Sequence, residues 1–251
     1  QRQMCIRDSF WLKEKLKGYI ESLQTTFPKE TFRAFTDSIP LLERDFAHQA
    51  GLGWVGKNTC LIHPKEGSLF FIGEILTSLE APKTSTVAHP DHCGSCQACL
   101  QACPTGALIE PKVLDANRCI AYWNIESRKV PPLDIREKME DWFFGCDICQ
   151  TVCPWNIKIH KDLEDFPQPS AAVNDLIPPL KEILTSSNKK LSRLVEQTPL
   201  SRAGGRGLKR NALIVIGNRR ILPLKGEVEA LAQDSQLGEL AQWALARLNP
   251  I

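Results

Sequence analysis

Two proline-terminated cysteine runs, mixed helix and strand patterns ahead of them, and a train of short helical segments behind them predict an α+β protein in three parts. The parts are a partial α/β domain over residues 1–88, a ferredoxin-like double-cluster module over 89–160 and a HEAT-like helical domain over 161–251. With 43% hydrophobic and 24% charged residues, the composition is that of a globular chain. No apolar run reaches the length of a membrane span and no secretory signal opens the sequence. Unpaired cysteines in a metal-binding pattern point to a reducing cytosol.

The first cysteine run is Cys93-Gly-Ser-Cys96-Gln-Ala-Cys99-Leu-Gln-Ala-Cys103-Pro104, and the second is Cys146-Asp-Ile-Cys149-Gln-Thr-Val-Cys153-Pro154, with Cys119 between them. Thiolates are soft ligands, and four of them suit an iron–sulfur cube. In this spacing three cysteines grip one cluster from a tight loop, while the one before proline reaches the other cluster. The expected sets are therefore Cys93, Cys96, Cys99 and Cys153 for one [4Fe–4S] cluster, and Cys103, Cys119, Cys146 and Cys149 for the other. Two zinc sites are the alternative reading, disfavoured because zinc motifs rarely end in C-x3-C-P. Cys5 and Cys60 stand outside the pattern, Cys60 as a small buried residue.

Gln1 to Ser9 fit poorly with the rest of the chain and are set apart as a junction sequence. Phe10 to Leu23 has helical spacing of Leu12, Leu16, Tyr19, Ile20 and Leu23. A strand from Phe32 ends in a turn at Asp37-Ser-Ile-Pro40, and a helix comes next with Leu42, Phe46, Ala47 and Ala50 on one face. Gly51 to Thr59 is a glycine-rich turn, which serves either close approach of a ligand or tight turning alone. It lacks the spacing of a P-loop. Ser68 to Thr77 reads as a buried strand, and 80–92 as a linker. Between the cysteine runs, Ala121-Tyr-Trp-Asn-Ile-Glu126 either shields a cluster or ligand or packs as ordinary core.

After a polar connection, helices are expected at 176–186, 189–197, 201–217, 224–233 and 236–248. From Leu176 onward 12 Lys and Arg stand against 6 Asp and Glu, whereas the rest of the chain carries 19 against 23. The basic charge thus sits in the tail. Within the third of these helices Arg202, Arg206, Lys209 and Arg210 share an arc of roughly 100°, opposite Leu208, Ala212, Val215 and Ile216. Such a stripe either tracks phosphates or is merely solvated.

Together these features resemble the epoxyqueuosine reductases. The residues carrying the resemblance are Asp37-Ser-Ile-Pro40, Leu42-Glu-Arg44, Ala50-Gly-Leu-Gly-Trp-Val-Gly-Lys-Asn58 and the double cysteine pattern. Cys119-Ile-Ala-Tyr-Trp-Asn-Ile-Glu126, Gly145-Cys-Asp-Ile-Cys-Gln150 and Gly207-Leu-Lys-Arg-Asn-Ala212 match as well. The resemblance spans nearly all of Phe10–Ile251, and a further N-terminal region of that family is expected to be missing here. It implies cobalamin- and cluster-dependent reduction of epoxyqueuosine to queuosine at the tRNA wobble position, with electrons from a flavodoxin or ferredoxin. It further implies that Asp37 is the proton donor, and that Gly53, Gly56, Lys57 and Asn58 line the cobalamin together with Tyr122, Trp123 and Asp147. The partial α/β domain would hold that cofactor, and Arg202, Arg206, Lys209 and Arg210 would meet tRNA. The rival readings are a cobalamin-dependent reductive dehalogenase and a non-catalytic [4Fe–4S] electron-transfer module, for which the glycine turn and Asp37 have no use.

Overall fold

The computed structural model describes residues 6–36, 40–80, 87–159 and 172–249. Helix α1 (Ile6–Thr26) begins within the stretch set apart as a junction. Its Leu12 and Leu16 close over Gly73, where a Cβ would lie 2.9 Å from Leu16. Tyr19, expected on the same face, is 66% exposed. The cause is geometric: the surface beneath α1 is only two strands wide, and a residue 60° off the Leu16 direction passes its edge.

Those strands are β1 (Phe32–Phe35) and a later segment, and between them lie helix α2 (Glu43–Gln49) and the hairpin of β2 (Trp54–Val55) and β3 (Leu61–Ile62). Strand β4 (Glu74–Thr77) pairs antiparallel with β1, Phe32 opposite Thr77 and Phe35 opposite Glu74. Only the last four of the ten residues expected as a strand over 68–77 are one. Ser68 is instead tied by its backbone N–H to Asn156 Oδ1 at 2.6 Å, and Ile72 O accepts from the Thr36 hydroxyl at 3.0 Å. Every strand pair among the described residues is antiparallel, so the expectation of an α/β layer is corrected to small antiparallel ribbons beside helices. Asp37 lies outside the described residues.

The cysteine module consists of α3 (Ala98–Ala102), a ribbon of β5 (Leu108–Glu110) and β6 (Val113–Leu114), a π-helical turn at Tyr122–Glu126, α4 (Leu133–Arg136), α5 (Ile148–Thr151) and α6 (Pro154–Ile159). Helices α3 and α5, the short segments that carry the two cysteine runs, lie against each other. Behind them come α7 (Val173–Thr185), α8 (Asn188–Leu194), α9 (Gly204–Arg219), α10 (Lys225–Glu229) and α11 (Gly238–Leu248), close to the five expected helices. Helix α9 is surrounded by α7, α8 and α11. Leu208 and every residue from Arg210 to Gly217 are accordingly buried, an all-round burial that marks a central helix.

The main core does not divide at residue 160. Ile120, Trp123, Ile135 and Met139 pack in one cluster with Leu180, Leu213, Ile216, Leu240 and Ala244. Burying several such side chains at about 1.5–3 kcal/mol each welds the segment between the cysteine runs to the helical part. Arg136, 4% exposed, adds a link: its Nε donates to Pro131 O at 2.7 Å and its Nη2 to Glu239 on α11 at 2.9 Å. Among the described residues no helix is long and apolar enough to cross a membrane.

Candidate metal centre

A turn followed by one or two helical turns and a proline brings thiols to a common centre. Cys93 N–H donates to Asp91 Oδ1 at 2.8 Å, and Cys96 N–H to Cys93 O at 3.0 Å, which curls the first loop. Asp91 is itself held by Lys112 at 2.7 Å. In the second run the carbonyl of Asp147 accepts from Gln150 and Thr151 N–H at 2.7 and 2.9 Å, and Cys153 closes the turn onto Gln150 O at 3.1 Å.

One cavity of about 150 Å³ is lined by Cys93, Cys96, Cys99 and Cys153, with Pro154 beside them. This is the crossed set expected from spacing, with the fourth thiol supplied from 54 residues beyond the third. Burial pushes the thiols of Cys99 and Cys153 up, and neighbouring thiolates add to it: Cys153 and Cys93 act on Cys99, and Cys93 and Cys96 on Cys153. Among the remaining four the thiols also act on one another, with Cys60 beside them. Burial raises Cys146 to about 11, with Cys119 and Cys103 pushing in the same direction. Cys149 is raised first by burial and then by Cys60, Cys146, Cys119 and Cys103. Cys103 is the exception. Burial pushes it up, but the Thr105 hydroxyl and the N–H groups of Ala107 and Leu108 hold it below the usual thiol value.

Four cysteines around one cavity are soft donors, and the set fits an iron–sulfur cluster. Among the described residues no three ligand side chains converge on the position of a single ion. One zinc would draw its thiolates to about 2.3 Å from a common point, whereas a cube is bonded at four separate corners.

The β2–β3 hairpin caps the first set. Trp54, 1% exposed, stacks edge-on with His92 at 4.8 Å and with Trp155 at 4.9 Å, forming an aromatic wall beside Cys93 and Cys153. Its turn reaches both cysteine runs. Lys57 Nζ donates to Gly94 O at 2.6 Å and Cys96 O at 2.8 Å, while Asn58 Nδ2 donates to Cys149 O at 3.1 Å. A Cβ at Gly53 would meet Ile62 O at 2.1 Å, and one at Gly56 the Ile62 side chain at 2.5 Å. The glycines therefore serve strand approach.

The residues expected at the cobalamin also hold the cysteine loops and the core. Gly53 and Gly56 are buried against Ile62, and the polar ends of Lys57 and Asn58 are turned to the cysteine loops. Trp123 is 7% exposed within the main core, with its ring N–H on Asn117 O at 2.6 Å and Tyr122 packed edge-on to it at 5.6 Å. Asp147, 1% exposed, caps the second run and accepts from Gln150 Nε2 at 3.2 Å.

The basic stripe is corrected at one position. Arg210 is 2% exposed because residues 127–130 cover its arc of α9. Its Nη1 donates to Ser127 O at 2.5 Å and Lys129 O at 3.2 Å. Arg206 is exposed, Lys209 half-buried, and Arg202 lies in the 3-10 turn before α9, paired with Glu126 at 2.6 Å.

Three buried asparagines went unremarked in the sequence. Asn124 brackets the approach to Cys146 by donating to Trp142 O and Gly145 O and accepting from Gly145 N–H, and Asn211 donates to Asn124 O at 2.8 Å. Asn156 holds Ser68 and Gln150 O behind Cys153. The only signal was Asn124 and Asn211 within the motifs that carry the resemblance.

Residues 92–156 match the 4Fe-4S double cluster binding domain. The chain is 37% identical over 239 residues to an epoxyqueuosine reductase of Pseudomonas aeruginosa, covering 94% of this chain and 65% of that protein. A solved epoxyqueuosine reductase bound to an epoxyqueuosine-modified tRNA-Tyr stem loop superposes with a TM-score of 0.80 at 30% identity, covering 96% of this chain and 64% of that one. The Bacillus subtilis enzyme, in a structure with its catalytic aspartate loop swung out of the active site, gives the same TM-score, identity and coverage. The chain spans 54–66% of the length of the curated relatives it matches. In sequence, cluster module and fold, the chain belongs to the epoxyqueuosine reductase family.

Proposed function

We propose that the protein carrying this chain reduces epoxyqueuosine to queuosine at the wobble position of tRNA. The observation that carries the reading is the crossed thiol cavity, in a cysteine module whose segment between the two runs shares one core with a basic helical part. Solved relatives of that architecture include one bound to modified tRNA. Two [4Fe–4S] clusters supply one-electron transfer when bound. Cys93, Cys96, Cys99 and Cys153 would hold one, and Cys103, Cys119, Cys146 and Cys149 the other. Lys57 and Asn58 fix the loops that carry these ligands, and Trp54, His92 and Trp155 stand beside Cys93 and Cys153. A flavodoxin or ferredoxin would supply the electrons.

Cobalamin enters this reading through the family resemblance, with Gly53, Gly56, Lys57, Asn58, Tyr122, Trp123 and Asp147 as the residues that would line it. Asp37 is proposed to protonate the opened epoxide oxygen, which requires its carboxyl to be held protonated near neutral pH. The catalytic aspartate loop of the Bacillus subtilis relative supports a loop aspartate in that family. The paired helices α7 to α11 are read as HEAT-like repeats, with Arg202, Arg206 and Lys209 toward tRNA and Arg210 holding the loop beside them.

The test is anaerobic turnover of epoxyqueuosine-containing tRNA, with cobalamin and a low-potential reductant supplied, followed by nucleoside analysis. Queuosine formation that depends on cluster content is expected. Absence of product from a cluster-replete, cobalamin-supplied protein would remove the reading.

A further inference from the structure

We propose that the cavity between residues 127–130 and the first turn of α9 binds a phosphate group of an RNA backbone. The proposal rests on the tRNA reading above and gives it a specific anchoring point. The cavity measures about 560 Å³ and is lined by Arg128, Lys129, Gly204, Arg206 and Arg210 among others, with no Asp or Glu in its wall.

Three independent features suit it to a phosphate. First, it opens at the start of a 16-residue helix whose first turn is Gly204-Gly205-Arg206-Gly207. No side chain caps those N–H groups, and the positive end of the helix dipole lies there. Second, Gly204 has φ +67° after Ala203 in the right-handed helical region, a combination that turns successive N–H groups into a concavity.

The third feature is Arg210. Its Nε and Nη1 are used by Asn211 Oδ1, Ser127 O and Lys129 O, but its Nη2 is buried and has no hydrogen-bond partner among the described residues. That nitrogen lies 3.6 Å from where a Cβ on Gly207 would stand, at the cavity wall. Burial and then Arg128 lower the guanidinium to about 10, so it remains charged at neutral pH with no carboxylate against it. A desolvated cation with a free N–H calls for an anion.

The volume favours a diester over a free ion, because it admits a phosphate together with its flanking sugars. Carboxylates nearby are otherwise engaged. Glu126 pairs with Arg202, and Asp234 accepts from Gln236 and Leu237 N–H while facing Arg206 and Lys209.

Arg210 is part of the fold, so the test uses the exposed pair Lys129→Gln/Arg206→Gln, with Lys138→Gln/Arg193→Gln as a charge-matched control elsewhere on the surface. Binding of a synthetic anticodon stem-loop RNA is measured against salt, with single methylphosphonate substitutions along its backbone, and inorganic phosphate is titrated separately. The expected result is a roughly tenfold to hundredfold loss for the Lys129/Arg206 variant, larger than for the control. One methylphosphonate position should weaken the parent but not the variant.

Loss of inorganic phosphate binding with unchanged RNA affinity would overturn the backbone assignment in favour of a free phosphate. RNA binding equal in variant and control would overturn the site while leaving the tRNA reading intact. If the parent binds no RNA, the tRNA reading and the backbone assignment fall together, and the phosphate titration decides whether the cavity takes a phosphate at all.

Discussion

Lys57 was expected to face a ligand, yet its ammonium sits on two carbonyls of the first cysteine loop, 2.6 and 2.8 Å away. Lysine is suited to this because its three donors can serve two acceptors at once. Lys57→Met keeps the stem and removes the donors, leaving Gly94 O and Cys96 O without that partner. The variant should lose the cluster of Cys93, Cys96, Cys99 and Cys153 several-fold faster in air, measured by bleaching of the visible absorption. An unchanged rate would reduce Lys57 to a surface lysine. Asp37→Asn keeps shape but cannot give up a carboxylic proton. Turnover should fall by roughly 10²–10⁴-fold with iron content unaltered. Near-normal turnover would take Asp37 out of the reaction. Both residues were visible in sequence as motif members, but only three-dimensional contact distinguishes a Lys57 that meets a cofactor from one that meets the backbone. Arg210 makes the same point: a helical wheel places it on the polar arc, and the loop that buries it lies 81–83 residues earlier in the chain.

At the scale of elements, the β2–β3 hairpin is defined by two close approaches. Gly56→Ala would put a methyl 2.5 Å from Ile62 Cδ1 and 2.9 Å from Asn58 Oδ1. The Ile62 side chain can yield partway, but Asn58 is held by Cys149 O, so the expected cost is about 1–3 kcal/mol, read as a lowered melting temperature. Stability within error of the parent would mean the hairpin adapts freely. Helices α3 and α5 are five and four residues long, too short to persist without outside support. Stripping iron anaerobically should therefore raise hydrogen exchange in 93–103 and 146–153 while α9, buried on all sides, stays protected. Equal protection with and without iron would contradict cluster-dependent order. Elements with clear apolar periodicity, such as α7 and α11, were legible because their apolar spacing mirrors their burial. The strand over 68–77 was not, because Leu69 to Ile72 read as an apolar strand while the Ser68 N–H and Ile72 O bond Asn156 and Thr36 rather than a neighbouring strand.

At the scale of the whole molecule, the approach of Cys153 to the first cysteine run is long-range, and the cysteine spacing implied it. For Cys93, Cys96, Cys99 and Cys153 the spacing anticipated a shared cavity, because a proline-terminated run carries its last cysteine away from its sequence neighbours. The merging of 120–139 with the C-terminal helices could not be read in this way. It depends on which apolar faces meet, and periodicity states only that a face exists. A matched pair of variants distinguishes crossed from uncrossed ligation by Mössbauer and EPR spectroscopy on anaerobically purified protein. The parent should contain about eight iron atoms in two cubes. Cys153→Ala should damage the cluster that Cys93, Cys96 and Cys99 hold, and Cys103→Ala the one held by Cys119, Cys146 and Cys149, each leaving the other spectrum intact. If Cys103→Ala instead removed the cluster of its own sequence neighbours, or if the parent carried two zinc ions and little iron, the account would be wrong.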